Sequence, residues 1–590
     1  MTIKKLYIEN VRGIRQLTIE DPILKNRPTI LVAPNGFGKT SIATAFKSAI
    51  EKTSIQIRDE DRYKHNPLAK AKIELTHEEN QVASVFKVEE KAHSNDIRKH
   101  FDINVICDLR IIKATTPWTP TGQAKPKGKS AIEPITICPI TRKKPSPFTK
   151  TMFHAEMGKH KGVLPDINAE IFGCRDFVMR AVDFIEHANA ILAQNKYKKI
   201  ENIKNQLTSH TGTTEDAVSS ISSQIEALAG EDGYRQLFEI IQKTTLIRSA
   251  HSFLAIWQIL TLLKTSSESL IDHLQWRRYS EIKKSLEDGL KKLSLSSWKA
   301  PSTKETKGSL VVELPDPTYI SNGQRDILVL LSLLHIARYN ATKSKSILII
   351  DEVFDYLDDA NITVAQYYLS QLIEDYNQQG RSIYVLLLTH LNPSFFRNYV
   401  FSTQKVVYLD NGATYKATNA MKKLLNARKD DKYTQDLKSQ IAKYLVHYHI
   451  DQYDFSQELA VVSGTKSSWG KAGKFQEFIH DEYKKYYNDQ PYDPLAICAI
   501  TRRRIEEKAF TQISKTLDAN KFFTTHMTAP KLDFATQQGA VVPESHYLLR
   551  VIFDDGLHWN EGRDNMIPIV AKLSHPIIKS MITEAVGEPS

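Results

Sequence analysis

The run Thr29-Ile30-Leu31-Val32, followed at once by Ala33-Pro34-Asn35-Gly36-Phe37-Gly38-Lys39-Thr40, constrains this chain more than any other stretch. Its four mostly β-branched residues read as a fully buried strand, and Ser41 to Lys52 read as a helix. A strand, a glycine loop and a helix in that order form a phosphate cradle. Glycines let backbone N–H groups turn toward phosphate oxygens, the helix N-terminus adds partial positive charge, and Lys39 can neutralise β- and γ-phosphates. The Thr40 hydroxyl is then a candidate Mg²⁺ ligand. Ala33 stands where the usual G-x-x-x-x-G-K-[ST] pattern has its first glycine. The pattern predicts an α/β nucleotide-binding fold.

Five further elements follow along the chain. Ile347-Leu348-Ile349-Ile350 is a buried strand that ends on Asp351-Glu352. This assigns Asp351 to Mg²⁺ through water and Glu352 to polarising an attacking water. Ile320-Ser321-Asn322-Gly323-Gln324-Arg325 leads into an apolar helix from Ile327 to Ala337. Asp355-Tyr356-Leu357-Asp358 follows the carboxylates, and the buried strand Tyr384 to Leu388 ends in Thr389-His390. Val406 to Leu409 reads as a last strand before an Asp410-Asn411-Gly412 turn.

With these motifs the sequence resembles the ABC-type ATPases of the SMC/RecF class, from about Met1 to Gly412 outside one insertion. In that class the loop is written G/A-x-N-G-x-G-K-[ST], which accommodates Ala33. The resemblance implies that Asn35, Gly36, Gly38, Lys39, Thr40 and Ser41 hold ATP and Mg²⁺. It implies that Ser321, Gly323 and Gln324 are the signature, with Asn322 replacing its first glycine, and close over ATP on Lys39 of another subunit. Asp358 matches the D-loop aspartate and His390 the switch histidine that senses the γ-phosphate. Lys39, Glu352 and His390 then form the catalytic set. A Q-loop glutamine is unassigned, since Gln81 and Gln123 are both poor candidates. The implied assembly is a homodimer or higher oligomer joined through the heads, with ATP as the switch.

The expected fold is an ABC-type P-loop ATPase head split by a helical, short coiled-coil arm and followed by a mainly α-helical C-terminal domain. Residues 1–152 and 299–417 are the two ATPase halves, 153–298 the arm and 418–590 the C-terminal effector or docking domain. The arm is helix-like over Ile167 to Leu207, Glu215 to Ala229, Gly233 to Lys264 and Leu270 to Leu293. About 145 residues at 1.5 Å each make an antiparallel arm of only a few tens of ångströms. That is shorter than the coiled coils of chromosome-organising members, and the chain lacks the Cys-x-x-Cys of a zinc hook.

The C-terminal region reads as helices over Asp431 to His449, Lys471 to Asn488 and Pro494 to Leu517, with a strand-like Tyr547 to Phe553. Arg502-x-x-x-Glu506, with His558 downstream, is similar to the site of the PrrC/RloC anticodon nucleases, which implies metal-free tRNA cleavage. The same two residues also read as an ordinary i, i+4 ion pair. His447-Tyr448-His449 reads as incidental rather than metal-binding. No HNH-type or two-metal acidic cluster is evident, so DNA cutting would fall to a partner. Septu-type ATPases of the PtuA kind resemble this chain in head and arm and act beside an HNH nuclease, sometimes with a retron and its RNA–DNA product. The implied role is anti-phage defence. A DNA repair or recombination ATPase is the further alternative. The nucleic acid expected at the protein is tRNA, DNA or retron RNA–DNA.

The net charge of +11 is uneven. Residues 113–150 carry Lys113, Lys125, Lys127, Lys129, Arg142, Lys143, Lys144 and Lys150 against Glu133 alone, with seven of the 23 prolines. This proline-stiffened stretch is a candidate contact strip for a phosphate backbone. Met1 to Lys5 lacks the apolar core of a signal peptide, and the apolar run Phe253 to Leu263 falls short of a membrane span. Four scattered cysteines suggest neither zinc nor disulfides, so a reducing cytoplasm is expected.

Overall fold

A computed structural model describes the chain except residues 34–37, 51–52, 108–111, 116–128, 133, 142–143, 248–249, 294–300, 316–319, 391–403, 410–415, 516–519, 559–565 and 590, and the side chains at 112–115, 129–132, 356 and 567. Asn35 and Gly36 therefore lie outside the described residues, as do Lys125, Lys127, Arg142 and Lys143 of the basic stretch. The chain forms two compact units, Met1–Val407 and Tyr408–Ser590.

The first unit is built on a five-stranded sheet in the order 405–408, 27–32, 382–389, 345–351, 102–107. Strands Arg27–Val32, Ser382–Thr389, Lys345–Asp351 and Asp102–Cys107 pair in parallel. Ser382 to Thr389 is buried at every position, as expected for a strand covered on both faces. The helices Lys39–Ser48, Asn322–Asn340 and Asp359–Gln378 lie between these strands in sequence. Register sets the site: Asp351 is opposite Leu388 and Thr389 opposite Val32. The glycine-loop entry at Ala33, the carboxylates Asp351 and Glu352 and the end of the strand Ser382–Thr389 thus share one C-terminal rim of the sheet.

A second, antiparallel sheet runs 14–19, 2–11, 72–79, 82–89. It is joined to the first by His77, whose Nε2 lies 2.7 Å from the Tyr384 hydroxyl. Burial holds His77 down to about 4. Lys113 and Lys129 fall on the paired strands 112–115 and 129–132, whose backbone alone is described. Lys144 stands 5.6 Å from the Trp276 ring.

The insertion closes on a core of its own, from Phe148 to Leu274. Ala250–Thr265 forms its centre and is buried on nearly all sides, while Arg175–Ala193, Tyr197–Ser209, Thr214–Gly230 and Tyr234–Thr244 contribute one apolar stripe each. Ser267–Leu293, the longest of its helices, returns toward the head. The Ile167 to Leu207 stretch is not continuous: a wide turn at Ile167–Ile171 and the Gln194 cap interrupt it. Two arginines fasten this bundle to the D-loop helix. Arg175 donates to both Asp375 oxygens at 3.0 Å, and Arg180 donates to the Gln379 carbonyl. Arg338 of the signature helix also pairs with Asp375.

Beyond Tyr408, the second unit has only helices as regular elements among its described residues. Its axis is Pro494–Ile513, with Leu495 to Thr501 buried without a break. Asp493 caps it by accepting from the Leu495 and Ala496 amides, and Pro494 occupies the first turn, where no donor is lost. Tyr547 to Phe553 is not a strand: Glu544–Leu548 and Arg550–Leu557 are helices. Leu549, Ile552, Phe553 and Leu557 recur at helical spacing and are buried, which settles a short apolar run that period alone leaves ambiguous. Gly556 permits that packing, since a Cβ there would lie 2.3 Å from the Cys498 sulfur.

Candidate functional site

The helix Lys39–Ser48 begins two residues earlier than the sequence suggests, directly on Gly38. Gly38 has φ 88°, and a Cβ would fall 2.9 Å from Ile14 Cγ1, so glycine is required on both counts. Lys39 is 3% exposed; its ammonium donates to the Ala33 carbonyl at 2.7 Å and lies 3.6 Å from Glu352 Oε1. Burial lowers its proton affinity, against the opposing pull of Glu352, Asp355 and Asp351. Ser41 is buried in the first turn, and its hydroxyl accepts from the Gly13 amide at 3.3 Å.

Asp351 is the buried acid of the rim. Burial and the neighbouring Glu352 push its carboxyl up to about 6, opposed by the Thr40 hydroxyl and Lys39. Its Oδ1 is buried with no hydrogen-bond partner. A partnerless buried carboxylate oxygen beside a threonine hydroxyl fits a hard cation with oxygen ligands, the pairing expected for Mg²⁺. Glu352 adopts φ 54°, a left-handed backbone that non-glycine residues rarely take. In this conformation its amide donates to the Leu388 carbonyl at 2.9 Å while its carboxylate faces Lys39.

Asp355 holds His390 in place, and the motifs did not single it out. Its Oδ2 accepts from the His390 amide at 3.1 Å and lies 2.8 Å from His390 Nδ1. Thr389 donates its hydroxyl to the other oxygen. Burial raises the Asp355 carboxyl, with the Thr389 and His390 bonds opposing. Glu352, Asp355 and His390 offer ligand atoms within 4.8 Å of one another. The sequence signal was present, because an acid three residues after Glu352 lies one turn beyond the strand. Its partner is 35 residues away and only the fold brings the two together.

The signature residues form a capping box at the start of Asn322–Asn340. The Gln324 amide donates to Ser321 Oγ at 3.2 Å, and the Ser321 amide donates to Gln324 Oε1 at 3.0 Å. Gly323 lies against the D-loop helix, where a Cβ would meet Asn361 Nδ2 at 2.3 Å. Asp358 caps that helix, accepting from the Asn361 amide and side chain at 2.9 Å each. Gln81 sits beyond the strand Lys72–Glu79 in a tight turn with φ 67°, remote in topology from the rim.

In the second unit the three candidate RNase residues share no hydrogen bond or ion pair with one another, although the Arg502 charge acts on both Glu506 and His558. Arg502 donates to Asp554 Oδ1 at 2.7 Å and does not bond Glu506, so the simple i, i+4 ion pair is absent as well. The carboxylate of Glu506 is wholly buried and takes four other partners. These are His447 Nδ1 at 2.7 Å, the Tyr448 amide at 3.0 Å, the Thr528 hydroxyl at 2.8 Å and Lys531 at 3.2 Å. Burial alone would raise Glu506, but His447, Lys531 and Arg502 hold it down to about 2. Burial outweighs Glu506 at His447, which stays neutral near pH 7. His558 and His447 line one cavity. The His447 role was missed because 59 residues separate it from Glu506.

Residues 5–296 match the family model described as an AAA domain. No curated protein matches the chain. Among solved structures, it is similar to an Smc head domain with an extended coiled coil bound to the C-terminal domain of ScpA, from Pyrococcus furiosus. That match has 13% identity and a TM-score of 0.29, covering 68% of this chain and 95% of the other. A second is an SmcHead bound to the C-winged helix domain of ScpA, at 10% identity and TM-score 0.28, covering 69% and 94%. Among the described residues, no helix is long and apolar enough to cross a membrane.

Proposed function

We propose that this chain is an ATP-hydrolysing, SMC-like ABC ATPase that pairs through its heads on ATP and gates a nuclease in anti-phage defence. The observation that supports it is the rim itself: Lys39 lies 3.6 Å from Glu352, Asp351 has an unpartnered buried oxygen, and His390 is fixed by Asp355. Bound Mg²⁺·ATP would supply the phosphoryl group and the metal's charge. Lys39 would neutralise the phosphates, Thr40 and Asp351 would hold Mg²⁺, Glu352 would orient and deprotonate water, and His390 would sense the γ-phosphate. Ser321, Gly323, Gln324 and Asp358 are assigned to the facing head. The gated nuclease is read as a separate HNH-type protein, as beside PtuA-like ATPases, with tRNA, DNA or a retron RNA–DNA as the nucleic acid. A cytoplasmic location goes with this reading.

Glu352→Gln tests it. This variant is expected to bind ATP, accumulate as head-paired dimers by light scattering, and lose ATP turnover by about two orders of magnitude. Turnover at the parent rate removes Glu352 from the mechanism. A second reading, cleavage of tRNA by the C-terminal unit itself, is favoured by one observation: Glu506 orients a histidine at a cavity that His558 also lines. Incubation of the protein alone with tRNA and with DNA separates the two, since intact nucleic acid leaves cutting to a partner.

A further inference from the structure

The cavity beside Glu506, of about 470 Å³, is lined among the described residues by five lysines or arginines, by four histidines and by no carboxylate. That is room enough for a small ligand. Lys531 pairs with Glu506 and Lys438 with Asp431, whereas Arg428 has no such match among the described residues. Arg428 donates to the Leu557 carbonyl, has no carboxylate partner among the described residues, and keeps a buried Nε with no partner. Burial and the nearby Arg502 guanidinium lower Arg428 to about 10, so the cation is costly yet persists at neutral pH. A buried donor of this kind stabilises an incoming anion by exchanging an unmet need for charge-assisted bonds.

Two other features say what accompanies the anion. Tyr448 and Phe523 both line the cavity, with ring centroids 6.4 Å apart, and offer apolar faces to a planar group. His447 sets the third requirement. Glu506 is ionised and accepts only, so the proton of the neutral imidazole resides on Nδ1, and Nε2 is a lone-pair acceptor. Among the described residues Nε2 has no protein partner. An acceptor within a cationic cavity selects a ligand that carries a hydroxyl donor beside its negative charge.

We propose that this cavity is a ribonucleotide site, for an RNA strand or a free nucleotide, in which Arg428 and neighbouring lysines take the phosphate, Tyr448 and Phe523 the base, and His447, oriented by Glu506, the 2′-hydroxyl. It goes beyond the gating reading and stands whether or not a bound strand is then cut.

Fluorescence polarisation on the full chain, with a labelled ten-nucleotide single-stranded RNA and the same sequence as DNA, tests it. RNA is expected to bind about fivefold more tightly than DNA, the worth of one hydroxyl hydrogen bond. His447→Asn keeps a donor for Glu506 but removes the acceptor, and is expected to equalise RNA and DNA. Arg428→Gln is expected to weaken both by about tenfold, and Lys443→Glu, on the exposed rim, to do the same and to flatten the salt dependence. Thermal unfolding reports whether each variant is folded; Lys443→Glu keeps the test valid where Arg428→Gln is not. Displacement of the RNA by uridine monophosphate supports a free nucleotide as occupant, and its failure with RNA binding intact supports a strand. Equal parent affinity for RNA and DNA, a preference that survives His447→Asn, or unchanged binding by Lys443→Glu overturns the proposal.

Discussion

Asp355→Asn isolates the least visible part of the nucleotide site. The carboxylate takes three donors: the His390 amide at 3.1 Å, His390 Nδ1 at 2.8 Å, and the Thr389 hydroxyl on the opposite oxygen. Asparagine keeps one acceptor oxygen and presents an amide N–H₂ in place of the other, so one side of this set faces donor against donor. A charge-assisted bond of this kind is worth about 1.5–3 kcal/mol. If the imidazole must be fixed only as the γ-phosphoryl group departs, that loss falls on the transition state, lowering kcat by about tenfold to a hundredfold. Lys39, Thr40 and Asp351 are untouched, so KM for ATP should stay within about twofold. Steady-state phosphate release across ATP concentrations, with head pairing followed by light scattering, provides the readout. A kcat within twofold of the parent, or a rise in KM at constant kcat, refutes the idea that Asp355 positions His390 for the reaction.

Two further changes probe the scaffold. Gly38→Ala forces a left-handed residue and a Cβ 2.9 Å from Ile14, and is expected to cost roughly 1–2 kcal/mol and to abolish detectable ATP binding by calorimetry. His77, held down to about 4 by burial, is neutral in the folded chain while its unfolded counterpart takes a proton near 6.5. Between these values the unfolded state binds more protons, so stability falls as pH falls from 6.5 to 4, by up to about 3 kcal/mol, and levels off below. His77→Gln, which retains a partner for Tyr384, should flatten that part of the profile in thermal melts at stepped pH.

The parallel sheet was legible because its strands are short apolar runs closed by polar residues, and each closing residue proved to stand at the rim. Lys39, Thr40, Asp351 and Glu352, singled out by order and spacing, stand together at that rim. Backbone conformation could not: nothing in Asp351-Glu352-Val353 announces a left-handed Glu352. Nor could partnerships over long separations. The acids that bond His390 and His447, Asp355 and Glu506, lie 35 and 59 residues away in sequence. Arg502 and Glu506 show the opposite error. Helical spacing put them on one face, yet Asp554 and Lys531, arriving from other helices, claim them separately. Tyr547 to Phe553 failed for a simpler reason, because dense apolar residues satisfy a two-residue and a four-residue period alike.

The capping box at Ser321 and Gln324 bears on how firmly two heads can hold together. Each residue already has its hydrogen bonds inside its own head, so reaching across to another copy's nucleotide means surrendering them first. What remains to drive closure is the difference between two sets of bonds of similar kind, a margin of about 1 kcal/mol per exchanged bond or less. If heads pair as proposed, a clasp with so thin a surplus would release once the terminal phosphate leaves, with no separate opening force. A Ser321→Ala head would shed part of that restraint along with its grip, and its lifetime in the closed state would report which of the two losses is larger.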